Sequence, residues 1–362
     1  MITVKAPGKL FIAGEYAVVE PGYPSVLVAV DRFVRVELTP SVGKGSIHSE
    51  QYGRQPLVWY RDARGIVLDH DMRPVDYILS SIETVEQYVS ERAIAPRFYD
   101  LSVSSELDDV SGRKFGLGSS AAVTVATINA LNQFYDLQLT PRQRYKLAML
   151  ATIAVSPHAS GGDLAASTFG GWIAYSAPDR IQVLRLREAH GVAGAMDADW
   201  DGFSVRRLAP PSDLQLIVGW TGEPASTSRL VDDLRDRRWA EEIRYSDFLE
   251  QSRHDVEGLI ASLDADDAEG VKRAIKGARR TLSQLDAAAK VGIETPALAR
   301  LSDTAEAIGA AGKSSGAGGG DCGVVLASRD ADLSGLLREW ERSDIRHLAL
   351  AVHPSEGGLD EQ

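Results

Sequence analysis

The chain holds 362 residues, 44% of them hydrophobic and 25% charged, which excludes an intrinsically disordered protein and points to about two domains. Only 39 Lys plus Arg stand against 51 Asp plus Glu, a formal net charge of −12, so nucleic acid binding lacks its electrostatic drive. An anionic substrate has to be held by a few local cations and by backbone N–H groups.

One cysteine, Cys322, excludes an internal disulfide and a cysteine-rich metal site. The seven histidines are scattered and form no HExxH or comparable ligand pair. The opening MITVKAPGKL lacks the apolar run of a signal peptide, and no stretch has the length that a membrane span needs. The expectation is a cytoplasmic protein, monomeric or homodimeric, with no membrane or nucleic acid partner.

In chain order, Ile2–Ala6 and Leu10–Ala13 read as strands, and a β-branched run from Val26 to Leu38 alternates as a half-exposed antiparallel strand does. Residues 41–70 read as short strands and turns. A helix is predicted from Pro74 to Arg92, with Val75, Ile78, Leu79, Ile82, Val85 and Val89 on one face. Phe98–Ser104 is a further strand, and a glycine turn then opens an apolar helix from Ser119 to Tyr135. Thr140-Pro141 caps a helix to Ala154. A short helix over Gly161–Ser167 and a strand at Trp172–Tyr175 follow.

Residues 177–202 mix turns with charged sequence and are read as the boundary, giving domains 1–200 and 201–362. Beyond it come strands 203–208 and 214–219, mostly helices between 226 and 311, strand 322–327, helix 331–342 and strand 346–352. Strands, then helices, then strands again describe an α+β protein rather than a regularly alternating parallel sheet.

Three segments carry chemistry. In Lys114-Phe115-Gly116-Leu117-Gly118-Ser119-Ser120-Ala121 the glycines permit a tight turn, and the helix behind it aims free N–H groups at whatever sits there. Such a site suits a polyphosphate, with serine hydroxyls placed for phosphate or Mg²⁺. Gly116, Gly118 and Ala121 also fit a dinucleotide fingerprint, but polar residues 108–113 stand where that motif needs a hydrophobic strand.

The second segment runs from Lys313 to Gly323; with the preceding residue, Gly312-Lys313-Ser314 ends like a P-loop without the required earlier glycine. Gly312-x-Ser314-x-Gly316 matches a nucleophile elbow, yet a predicted helix over Pro296–Ala311 precedes it and a strand follows, the reverse of an elbow. A backbone shaped to approach a ligand is the better reading. The third segment, Lys5 to Tyr16, places Lys9 at the edge of a strand. Asp163, in Gly161-Gly162-Asp163-Leu164, either caps a helix or faces a site.

Together, PGKLFIAGEYAVV, GLGSSAA and SGAGGGDCG resemble the GHMP kinase superfamily in order and separation, spanning residues 5 to 326. Within it, Gly14-Glu15-Tyr16, Lys114-Phe115 and Asp321-Cys322 resemble the bacterial phosphomevalonate kinases more than the mevalonate kinases. The resemblance implies a two-domain α+β GHMP kinase fold with the active site in the inter-domain cleft. It implies ATP with Mg²⁺ as phosphoryl donor and phosphomevalonate as acceptor.

On that footing ATP lies on Lys114, Gly116, Leu117, Gly118, Ser119, Ser120 and Ala121, with Ser120 at the metal. Lys9, Lys114 and Asp163 form the catalytic group. Lys9, Tyr16, His158, Ser160, Thr227, Ser228, Ser315, Gly316 and Ala317 bind the acceptor. Thr152 occupies the position from which mevalonate kinases supply a glutamate to the metal. The alternatives are a sister kinase acting on an alcohol, a decarboxylase of the same fold, and a non-catalytic relative that senses metabolites.

Overall fold

The amino-terminal residues form one strand, β1 (Ile2–Ala13), in the computed structural model, where two short strands were expected. The interruption at Pro7-Gly8 is a bulge: Pro7 faces Phe33 on β2 (Pro24–Ser41), and Gly8 already faces Val30. A bulge is where a strand accommodates a proline, which has no N–H for the ladder. The structure describes all residues except 50–54, 63–64, 70–75, 224–229, 231–244 and 356–362.

After β2 come β3 (Gly45–Ser49), β4 (Leu57–Asp62) and β5 (Gly65–Leu68), then α1 (Asp76–Glu91) and β6 (Phe98–Ser105). Ile78, Ile82, Val85 and Val89 recur at helical spacing on α1, and all are buried. The helices α2 (Ser119–Phe134), α3 (Pro141–Val155) and α4 (Gly162–Phe169) precede β7 (Trp172–Ser176). Thr140 and Gln143 form a reciprocal capping box that starts α3. Helices α2 and α4 lie against β1 and β2, while α1 and α3 pack on α2.

Residues 180–197, expected as turns, form α5 (Arg180–Asp197), broken at Gly191 by its φ of 72°. The Glu91 carboxylate accepts the N–H groups of Val192 and Ala193 and restarts the helix, a cap supplied from far away in sequence. Strand β8 (Ser204–Leu208) then pairs with β7, so it belongs to the first sheet. A division after residue 200 would cut this strand away from its partner. Among the described residues, the first sheet contains eight strands in the order β5-β4-β3-β6-β2-β7-β8, with β1 on β2.

The second half opens with β9 (Leu214–Trp220) and continues through α6 (Tyr245–Asp264), α7 (Ala268–Ala289) and α8 (Pro296–Ala307). Helix α8 stops four residues earlier than expected, because Gly309 turns the chain with a φ of 78°. Residues expected as helix and loop instead form β10 (Ala311–Ser314), antiparallel to β11 (Cys322–Ser328). The glycine-rich segment is therefore the arch of a hairpin. The α9 helix (Leu333–Arg342) and β12 (Arg346–Leu348) complete a sheet of order β10-β11-β9-β12. The predicted strand 346–352 ends early, because the chain crosses back to the first sheet, where the His353 N–H reaches the Ala29 carbonyl at 2.9 Å.

Candidate active site

The turn ahead of α2 is built on β1. The Lys9 N–H donates to the Leu117 carbonyl at 2.9 Å, and a side chain at Gly8 would come within 3.1 Å of that same oxygen. Gly116 and Gly118 have φ of 80° and 79°, the left-handed region glycine adopts freely. Gly118 is the N-cap of α2 and no side chain caps it, so the helix presents its first N–H groups toward the cleft. Backbone and helix dipole alike favour an anion at this turn.

Lys9 reaches into the same place. Its side chain is 7% exposed, with Nζ 3.5 Å from Asp163 Oδ2 and 3.4 Å from the Gly116 carbonyl. Asp163 sits in the first turn of α4, behind Gly161, which takes a φ of 78°. Its carboxylate is 35% exposed, so one side meets Lys9 and the other faces the cleft. From the second half, a Cβ on Gly316 would stand 3.9 Å from Lys9 Nζ. All three glycine-bearing sequence motifs thus meet at one ammonium group.

The cleft is lined by Lys114 and the Gly116–Ala121 stretch on one side and by His158, Ser160 and Asp163 on another. Lys9, Tyr16, Gly316 and Ala317 complete the expected residues found there. Lys114 and Ser120 are exposed on its rim. Ser315 does not line it: its buried Oγ donates to the Phe11 carbonyl at 3.0 Å and accepts the Phe11 N–H at 2.9 Å. That side chain is spent on joining the hairpin to β1. Tyr16 lines the cleft, but its hydroxyl donates to the Ala317 carbonyl at 2.5 Å. Thr227 and Ser228 lie outside the described residues.

Sequence reasoning did not single out Tyr77, Ser156 or Asp321 for the cleft, yet all three line it, as does Thr152. The Thr152 hydroxyl is buried with no hydrogen-bond partner among the described residues. Beneath Ser160, Tyr145 and Tyr175 share a 2.6 Å hydroxyl contact, and Tyr175 donates to the Ser160 carbonyl at 2.6 Å. Burial pushes both phenols well above their ordinary range, so both remain protonated donors. No motif marks this pair, because both read as ordinary core aromatics.

Known proteins share this sequence and fold. The GHMP kinases N terminal domain matches residues 76–171, and the GHMP kinases C terminal domain matches residues 259–345. The chain belongs to the GHMP kinase family. It is 46% identical to the phosphomevalonate kinase of Streptomyces sp. (strain CL190), over 98% of this chain and 97% of that one. The mevalonate kinase of Thermococcus sibiricus is 27% identical over 90% of this chain and 89% of its own. Among solved structures, Streptococcus pneumoniae phosphomevalonate kinase in complex with phosphomevalonate and AMPPNP superposes with a TM-score of 0.86 at 28% identity. That match covers 97% of this chain and 100% of the other.

Proposed function

We propose that the cleft moves the γ-phosphoryl group of ATP onto the 5-phosphate of (R)-5-phosphomevalonate, giving (R)-5-diphosphomevalonate and ADP. This is the phosphomevalonate kinase reaction of the mevalonate route to isoprenoids. One observation carries the reading: the likeness to the Streptomyces enzyme extends over nearly the whole chain, well beyond the likeness to the mevalonate kinases. Among the described residues no helix is long and apolar enough to cross a membrane; the expected location is the cytoplasm.

The chemistry asks mainly for positioning and for neutralising charge as two anions approach. The acceptor is a phosphate whose second ionisation lies near pH 6, so at neutral pH it is already mostly a dianion. A strong base is not required. Asp163 holds Lys9 in place, and Lys9 takes up charge between donor and acceptor. Lys114, on the rim, contributes a second cation in a protein whose net charge of −12 repels both substrates. The turn at Gly116–Ala121 receives the ATP phosphates.

Magnesium suits this site as an ion carried in by ATP. Among the described residues no group of three or more His, Cys, Asp or Glu could hold a metal alone. The exposed Ser120 hydroxyl and the cleft-facing Asp321 carboxylate are the hard oxygen donors that Mg²⁺ prefers, with phosphates completing its shell. Bound there, it would neutralise phosphate charge.

The test is ADP release measured separately with mevalonate, phosphomevalonate and diphosphomevalonate in the presence of Mg-ATP. Turnover with phosphomevalonate alone is expected. A preference for mevalonate would reassign the acceptor while leaving the kinase family intact.

A further inference from the structure

Lys313 resembled a P-loop lysine in sequence, but its side chain is fully buried and paired with the Glu15 carboxylate, itself 3% exposed. Lys313 Nζ also donates to the Ser314 carbonyl. It cannot swing into the cleft. The next residue, Tyr16, has φ 64° and ψ −50°, and the Ala17 N–H donates to the Glu15 carbonyl at 2.7 Å. That is a γ-turn of the rare positive-φ kind, a strained conformation for any residue with a Cβ.

The turn has a geometric reason. Along an extended strand, neighbouring side chains point to opposite faces. Here Glu15 reaches Lys313 and Tyr16 reaches the Ala317 carbonyl, two points on the same hairpin. The sharp turn at residue 16 is what brings these consecutive side chains to the same hairpin. Further back, Ser315 clasps both polar groups of the Phe11 backbone. The Phe11–Tyr16 segment, which leads out of β1, is therefore tied to the β10–β11 hairpin at three places, and Gly316 lies between the hairpin anchors Ser315 and Ala317, against Lys9. Tyr16 and Ala317 also share an apolar cluster with Leu282, Leu285 and Ile293 from the second half.

We propose that Glu15, Tyr16 and Lys313 form a positioning device that fixes the 315–321 arch against the strand carrying Lys9. The device sets how closely Gly316 and Lys9 flank the transferring phosphoryl group. In this role the Tyr16 hydroxyl serves the arch and not the acceptor. Burial, together with the Asp286 and Glu15 carboxylates, pushes its phenol far above the usual range, which keeps it a donor to Ala317. The catalytic consequence rests on the function proposed above; the mechanical part does not.

Tyr16→Phe removes the hydroxyl alone. Expected is a fall in kcat of about tenfold, with KM for ATP and for phosphomevalonate each within about twofold of wild type. Amide hydrogen exchange at Ser315 and Gly319, whose N–H groups donate to the Cys322 and Ile293 carbonyls, should speed up by about tenfold in the same variant. A raised KM for phosphomevalonate with unchanged kcat and unchanged exchange would make Tyr16 a substrate ligand and overturn the proposal.

Lys313→Met alone would strand a buried carboxylate and risks misfolding, so the second test is the double variant Glu15→Leu/Lys313→Met, which removes both charges. Wild-type kcat in a folded double variant would also overturn the proposal. The exchange measurement needs no substrate. If wild-type protein failed to turn over phosphomevalonate, the substrate assignment would fall and the exchange result would still decide the device.

Discussion

Gly118 stands against Lys9: a Cβ built on this glycine would lie 3.0 Å from Lys9 Cε and 3.2 Å from Asp163 Oδ2. On the side where a Cβ would point, Lys9 and Asp163 leave no room for a side chain. The cleft opens beside the uncapped start of α2, so backbone N–H groups and an ammonium face one space. A phosphate is the group that answers to both.

Gly118→Val drives a branched side chain against Lys9 and Asp163, at a φ of 79° that a β-branched residue rarely adopts. The expected result is a loss of ATP affinity of at least about tenfold by calorimetry, with stability lowered by roughly 1–3 kcal/mol and the fold kept. Wild-type ATP binding by this variant would refute the assignment of the turn to the phosphates.

Tyr175→Phe should act on the other side of the cleft. It leaves the Ser160 carbonyl and the Tyr145 hydroxyl without their partner, at a cost of about 1–3 kcal/mol in stability. If Ser160 and His158 hold the acceptor, KM for phosphomevalonate should rise several-fold while KM for ATP stays put. Tyr145→Phe keeps the bond to Ser160 and should change that KM less. Equal changes in both KM values would show that the pair only stabilises the fold.

What the sequence made legible follows from which forces are local. The α1 face, the Thr140 cap and the glycine turn before α2 rest on spacing and chemistry within a few residues, and they could be read directly. Helix α5 could not, since its break at Gly191 is repaired by Glu91 about a hundred positions earlier. Strand β10 is four residues long and exists through its pairing with β11, so an alanine-rich helix ran over its start on paper. The same limit applied to the site. Lys9, Gly118 and Asp163 came from motif resemblance, but no motif says that Ser315 clasps Phe11 or that Tyr175 underpins Ser160.

Cys322 offers a probe of the hairpin. Burial, reinforced by the Asp321 carboxylate and opposed by Lys9, pushes its thiol well above the ordinary range, and the thiol donates to the Phe115 carbonyl. The thiolate is the reactive form, so at pH 8 the native protein should resist iodoacetamide for hours and label readily in denaturant. Rapid labelling of the native protein would mean that β11 opens away from the first half, and the cleft geometry would need revision.

The last prediction concerns how Asp163 works. Asp163→Asn keeps the shape of the side chain but removes the charge that faces Lys9 at 3.5 Å. Were Asp163 an essential base, the defect should shrink as rising pH ionises the acceptor without help. If it orients Lys9, the defect in kcat/KM should stay nearly flat from about pH 5 to 7, across the acceptor's second ionisation near 6, because removing the acceptor's proton is then not the task of Asp163. Lys9→Met should cost at least as much, ~3 kcal/mol or more of transition-state stabilisation, since it removes the neutralising charge itself. Residues that act as a unit are not additive, so the double variant should be little worse than Lys9→Met alone. Steep rescue as pH rises from about 5 to 7, joined to fully additive losses, would make Asp163 a true general base and leave Lys9 to act without it.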